Sequence, residues 1–190
     1  MLKPLAPLAS LAGQALLCLA ALVGCAGRGA QPSTPPGVSL ASITLTSRSF
    51  EAKGAIPIDH TCDGKDLSPQ LSWSAPPQGT RSLTLELEDP DASPANFTHW
   101  LAYNLPPDVL SVAEGADVAA LHGMVGVNDF PDTGYRGPCP PHRESHRYVF
   151  HLFAVDTILA VHEGANRAAV DAAMAHHVLG EGQLMGNFGH

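Results

Sequence analysis

The stretch GPCPPHRESHRYVFHLFAV, residues 137–155, changes character in its middle. Up to Ser145 it is rigid, polar and ionisable, with prolines at 138, 140 and 141; from Arg147 to Val155 it is apolar on both faces. An apolar run of this length, rich in aromatic and β-branched residues, predicts a strand in the middle of a packed sheet. The prolines before it fix the backbone at low conformational entropy, so His146 is delivered to a set position at the strand's edge.

Working outward, the segments on either side also read as short strands broken by Pro and Gly turns. In Ser82–Asp89, Leu83, Leu85 and Leu87 face one way while Thr84, Glu86 and Glu88 face the other, which predicts a half-buried strand. HWLAYNL, from His99, is apolar on both faces and stops at Pro106-Pro107. SITLTSRSF, from Ser42, opens with alternating apolar side chains, and QLMGNF, from Gln183, supplies a last strand. One helix is expected, capped by Asn166, built on Ala168, Ala169, Ala172, Ala173 and Ala175, and stopped by Gly180. Its Val170, Met174 and Val178 form a stripe for docking on a sheet. The sum is an all-β fold, a two-sheet antiparallel β-sandwich with a peripheral C-terminal helix, over residues 42–190.

The start of the chain belongs to another class of segment. After Lys3, Leu5 to Leu22 is dominated by Leu and Ala, as in a signal-peptide core. The run ends in Leu22-Val23-Gly24-Cys25, which resembles the lipobox of bacterial lipoproteins. That resemblance implies a signal peptide over 1–24 and lipidation of Cys25; an ordinary secretory signal cleaved near Ala26 or Ala30 is the alternative. Both export the protein. Residues 25–41 are small, polar and proline-rich, a flexible tether. At the ~3.1 Å rise of an extended proline-rich chain it would hold the domain up to about 50 Å from a bilayer. Ala26 lacks the acidic residue associated with inner-membrane retention, so the expectation is the periplasmic face of an outer membrane.

The formal charge of −8, with no cluster among the ten Lys and Arg, excludes a nucleic-acid partner. Of the four cysteines, Cys18 falls in the signal segment and Cys25 in the lipobox, leaving Cys62 and Cys139. An exported compartment permits their pairing, and a bridge closing so long a loop would contribute about 4 to 5 kcal/mol. Two separate thiols are the competing reading.

Chemistry concentrates at the strand ends. His99 and His146 open two of the best strands, and Asp89 and Asp91, in DPDASP, close a third. CDGKDLSPQLSW, DPDASPANFTHW, NLPPDV and GPCPPHRESHRYVFHLFAVD, followed by the helix, resemble in order the phosphatidylethanolamine-binding protein family in its bacterial, Raf-kinase-inhibitor-like branch. The resemblance implies a sandwich with a small end pocket for anions such as phosphate, acetate or a phospholipid head group. It places that pocket on Asp89, Pro90, Asp91, His99, Gly137 through Pro141 (Pro138 and Pro140 included), His146 and Tyr148. Two departures stand out: Ser93 intervenes before Pro94, and Arg143 stands where a glycine commonly follows the Pro-Pro turn. Arg143 is either a solvated loop charge or an extra phosphate contact.

Carboxylates repel phosphate, so Asp89 and Asp91 are expected to work through the histidines, accepting an N–H from His99 or His146 and favouring imidazolium. Backbone N–H groups around Gly137 would add donors. A zwitterionic ligand suits this mixed sign, its phosphate on the donors and its ammonium toward a carboxylate. The reading is a lipid-anchored binding protein without cofactor, catalytic residue or metal. A protease inhibitor or regulator is the alternative, and a metal-dependent hydrolase using Asp89, Asp91, His99 and His146 a weaker one, since HExxH, paired CxxC and GxSxG are all missing.

Overall fold

The alternating and doubly apolar runs build the larger of two sheets. The computed structural model describes residues 39–93, 96–130 and 132–189. The signal segment 1–24, the lipidation position Cys25 and the tether before residue 39 lie outside the described residues. In chain order the elements are β1 (Ala41–Ser42), β2 (Leu45–Ser47), β3 (Leu71–Trp73), β4 (Ser82–Asp89), β5 (Phe97–Leu105), β6 (Ser111–Val112), β7 (Met124–Val125), β8 (Ser145–Val155), α1 (Arg167–Met174) and β9 (Val178–Gly189). One sheet has the order β1-β9-β8-β4-β5-β7 and the other β2-β3-β6. The described residues are mostly β with one α-helix.

The apolar run first quoted is β8, central between β9 and β4. SITLTSRSF does not form one strand but two, in different sheets. β1 runs parallel to β9, with Ala41 opposite Gly180, so the large sheet is not wholly antiparallel. The chain then leaves for the smaller sheet through Ile43, whose N–H donates to the Glu181 carbonyl at 2.7 Å. That crossing explains Gly182, where a Cβ would stand 2.4 Å from the Ile43 carbonyl oxygen. The glycines of VLGEG serve close backbone approach, and β9 begins five residues before the expected QLMGNF. Gly180 therefore does not stop the helix, which ends at Met174 with Val178 already in β9. Asn166 does cap it: its side chain accepts from the Ala169 N–H at 3.0 Å.

A core drawing on both sheets contains Leu45, Leu71, Trp73 and Val112 together with Leu83, Leu85, Leu87, Trp100, Phe150 and Leu152. A second cluster lies on the opposite face of the large sheet, where Val170 and Met174 of α1 pack with Leu101, Tyr103 and Val155. β5 is thus buried on both sides, as its sequence predicts. β4 is also buried on both sides, against its half-buried expectation, because alternation cannot reveal that the polar face is covered by Arg167.

Glu86 is fully buried on that face. Arg167 Nη2 lies 3.2 Å from Glu86 Oε2 as an ion pair, but neither carboxylate oxygen receives a hydrogen bond. Burial pushes the Glu86 pKa up to about 7 from 4.5; Arg167 opposes the rise, and Asp171 and Glu88 add to it. His151 sits opposite Glu86 in register and stacks on Phe153 with centroids 5.9 Å apart, packing on the sheet face. Burial holds its pKa below the ordinary value.

Between pH 4.5 and about 7 the folded state binds a proton at Glu86 that the unfolded chain has lost, so Glu86 makes stability fall as pH rises through that window. At ~1.4 kcal/mol per pH unit the loss is about 3 kcal/mol. Glu86→Gln cannot ionise, so urea denaturation should show the variant gaining on wild type by about this amount from pH 4.5 to 8. A difference that stays constant with pH would contradict this assignment.

Candidate functional site

The end of β4 and the start of β8 are tied by two acid–base contacts of different kinds. Asp89, buried at the strand end, turns the following loop with one oxygen: Oδ1 accepts the N–H groups of Asp91 at 2.9 Å and Ala92 at 3.0 Å. Its Oδ2 accepts Nδ1–H of His146 at 2.8 Å. Asp91, two residues on, takes Arg147 instead, with Nε at 2.9 Å, Nη2 at 2.6 Å and the backbone N–H at 2.9 Å. Strand alternation sends His146 and Tyr148 inward and Arg147 outward, so the Asp-Pro-Asp spacing meets His-Arg from both sides. The hydrogen bonds from Arg147 hold the Asp91 carboxyl at about 2. Asp91 is therefore committed to the rim and is not a free carboxylate for a ligand.

His146 is held between two carboxylates. Its Nε2 faces Glu144 Oε2 at 3.2 Å, and Glu144 is 58 % exposed against 4 % for Asp89. Burial lowers its pKa, but the hydrogen bonds to Asp89 and Glu144 outweigh that effect and the net shift is upward. Both ring nitrogens face acceptors, which is the arrangement that imidazolium satisfies.

His99, from β5, is set up differently. Its Nδ1–H donates to the carbonyls of Arg136 at 2.8 Å and Gly137 at 3.0 Å rather than to a carboxylate. The ring sits among Phe97, Phe130 and Tyr148, with centroids 5.2 to 5.3 Å away. Burial pulls its pKa below the ordinary value despite the two carbonyls and Asp89. The expectation that a carboxylate favours imidazolium thus fails for His99, because aromatic packing removes the water that would solvate a charge. Its neutral tautomer carries the proton on Nδ1, leaving Nε2 as an acceptor.

The run from Gly137 packs against the turn around Cys62. A Cβ on Gly137 would fall 2.3 Å from the His60 carbonyl oxygen, so only glycine fits. Its N–H donates to Asp66 Oδ1 at 2.6 Å, so it is not the spare anion donor expected from the sequence. Cys62 and Cys139 are joined as a disulfide with Cα atoms 5.4 Å apart, and the Cys62 N–H donates to the Pro138 carbonyl at 3.1 Å. Pro138 and Pro140 are buried. Tyr148 stands between the two histidines, stacked on His146 at 6.4 Å and edge-on to His99 at 5.3 Å. Its hydroxyl is buried with no partner in hydrogen-bond geometry. Burial, then neighbouring Asp89, raises its pKa.

A family model described as phosphatidylethanolamine-binding protein matches residues 46–189, most of the chain and every one of these side chains. The chain belongs to the phosphatidylethanolamine-binding protein family. The UPF0098 protein of Methanothermobacter thermautotrophicus is 45% identical over 147 residues, covering 76% of this chain and 97% of its own. The UPF0098 protein of Chlamydia trachomatis is 38% identical over 149 residues, again covering 76% and 97%. Among solved structures, a phosphatidylethanolamine-binding protein homologue from Chlamydia trachomatis aligns with TM-score 0.73 at 36% identity, over 80% of this chain and 99% of that one. Escherichia coli YbcL, described as a new member of the mammalian family, aligns with TM-score 0.72 at 25% identity, over 79% and 99%.

Within this family member, Asp89, Pro90, Asp91, His99, Gly137, Pro138, Pro140, His146 and Tyr148 come together at one end of the large sheet. Asp66, Glu144 and Arg147 join them and were not anticipated. For Arg147 a signal existed, since Asp-Pro-Asp facing His-Arg offers two acids to two adjacent bases. Arg143 is exposed at φ 72°, so the backbone keeps the left-handed form that glycine adopts freely. Among the described residues no three His, Cys, Asp or Glu side chains are grouped to hold a metal ion.

Ring-proton NMR should find the two histidines titrating apart, His146 above 6.5 and His99 below it. Asp89→Asn should bring His146 down while leaving the order intact; coincident titration in the wild type would refute the assignment. Alkylation of the denatured domain with and without reductant should differ by two thiols, and equal masses would mean that Cys62 and Cys139 are unpaired.

Proposed function

We propose that the chain is an exported, lipid-anchored protein of the Raf-kinase-inhibitor-like branch that binds the phosphate of a small anion or a phospholipid head group. The carrying observation is His146, a nearly buried imidazole braced by Asp89 on one nitrogen while the other is directed to the exposed side. A cation of this kind costs desolvation to maintain, and an anionic ligand recovers that cost. The site is complementary to a monoprotonated phosphate: His146 Nε2–H donates to one phosphate oxygen, and neutral His99 accepts the P–OH proton on Nε2. Tyr148, whose buried hydroxyl lies beside Asp89, packs between the two rings and keeps them apart. Each contact binds without requiring bond cleavage, so the reading is binding rather than turnover.

Export rests on the N-terminal segment and is supported by the Cys62–Cys139 disulfide, a bond that persists in oxidising compartments. In this reading the two sheets are the halves of a sandwich, with the ligand at its rim and the lipid on Cys25.

Phosphate or phosphoethanolamine at millimolar concentration is expected to shift the ring signals of His99 and His146, and His146→Ala should abolish binding. Affinity for sulfate, whose charge is constant over the range, should fall as pH rises through the raised His146 pKa. Unchanged ring signals with either phosphate ligand would defeat the proposal.

A further inference from the structure

A cavity of about 410 Å³ opens where β5 and β7 meet three loops, and none of Asp89, His99, His146 or Tyr148 lines it. Trp100, buried to 1 % exposure, and Tyr135 meet edge-on in its wall with ring centroids 5.6 Å apart. Two further wall positions are glycines in the left-handed region, Gly134 at φ 90° and Gly164 at φ 75°. A Cβ on either would meet no atom within 4 Å, so no neighbouring side chain fills the space beside them. The walls are nevertheless tied down. The Tyr135 hydroxyl donates to the His60 carbonyl at 2.6 Å, and the Gly164 N–H donates to the Val125 carbonyl at 2.9 Å.

The charge on this cavity has one sign. Asp117 and Glu163 line it and are exposed, and no described Lys, Arg or His does so. Asp117 uses one oxygen to accept the Ala119 N–H at 3.0 Å, which orients its carboxylate. The basic residues next to the lining are engaged elsewhere: Arg136 lies 3.5 Å from Asp66 and covers Phe130, and His162 turns Nδ1 to the Glu163 carbonyl at 2.8 Å. Two carboxylates without a neutralising partner repel an anion and attract a cation. A metal ion is a poor match, since hard cations take six or more oxygen ligands and the described residues offer no group of three ligating side chains. The aromatic wall instead suits hydrocarbon, and a volume at the lower end of the range for small-molecule sites admits a ring with a short arm.

We propose that this cavity is a second ligand site, selective for a small apolar amine whose ammonium meets Asp117 and Glu163 and whose body rests against Trp100 and Tyr135. It is independent of the phosphate reading. The test titrates 2-phenylethylammonium and 2-phenylethanol, alike in shape and differing in charge, into the protein by NMR. Wild type is expected to prefer the ammonium by roughly tenfold, on the scale of one charge-assisted contact. The double variant Asp117→Asn, Glu163→Gln should bind the ammonium no better than the alcohol. Thr133→Phe, at an exposed lining position, should weaken both ligands by crowding the cavity. His146→Ala should leave ammonium binding unchanged. The inference falls if wild type does not bind the ammonium, if it binds the two ligands equally, or if the preference survives in the double variant. It falls equally if His146→Ala abolishes binding, because the amine then sits at the histidine end of the sheet.

Discussion

The site depends on a double clasp between the end of β4 and the start of β8, in which Asp89 holds His146 and Asp91 holds Arg147. The strand ladder runs only to Glu88 opposite Val149, so beyond it the two chains are free to splay. Two acids at i and i+2 closing on two adjacent bases restrain that splay on the inward and outward sides together. The inner contact is shielded from water and aims an imidazole. The outer one, screened and exposed, fixes the register of a loop more than it adds stability. Tyr148, next along the strand, is thereby wedged between the rings of His146 and His99.

The same side-chain chemistry takes opposite roles according to what surrounds it. His146, between carboxylates, is stabilised as a cation; His99, among aromatic rings with its proton on backbone carbonyls, is stabilised neutral. Two carboxylates diverge in the same way. Asp89 receives three hydrogen bonds, whereas Glu86 is fully buried with none and meets Arg167 only as a charge. Residue type at these positions constrains what chemistry is available, and local donors decide which form prevails.

Legibility in the sequence followed the strength of local patterns. β5 and β8 carry aromatic-rich apolar runs with prolines at their flanks, and the Asn166 cap has a specific mechanism, so both were readable. β9 was half hidden because Gly180 and Gly182 are there to let the chain near Ala41 and Ile43 approach, a need set by a contact far away in sequence. The burial of Glu86 was illegible for the same reason: the residue covering it, Arg167, is 81 positions away. At the site, motif resemblance located the histidines and Asp89, while Asp66 and Glu144 act through backbone and ring contacts that spacing does not encode. Free N–H donors around Gly137 were expected where Asp66 had already taken one.

The large sheet has a polarity set by where its first strand joins. Ala41 lies beside Gly180, which is level with Ala154 of β8, while His146 is eight positions back along that strand. At about 3.3 Å per residue the polypeptide enters the sheet roughly 25 Å from the imidazole. β1 also runs toward the histidine end, being parallel to β9, so the entering chain comes from the remote edge. The chain's entry into the sheet and the His146–Asp89 contact thus stand at opposite ends of one sheet, with the length of β8 between them.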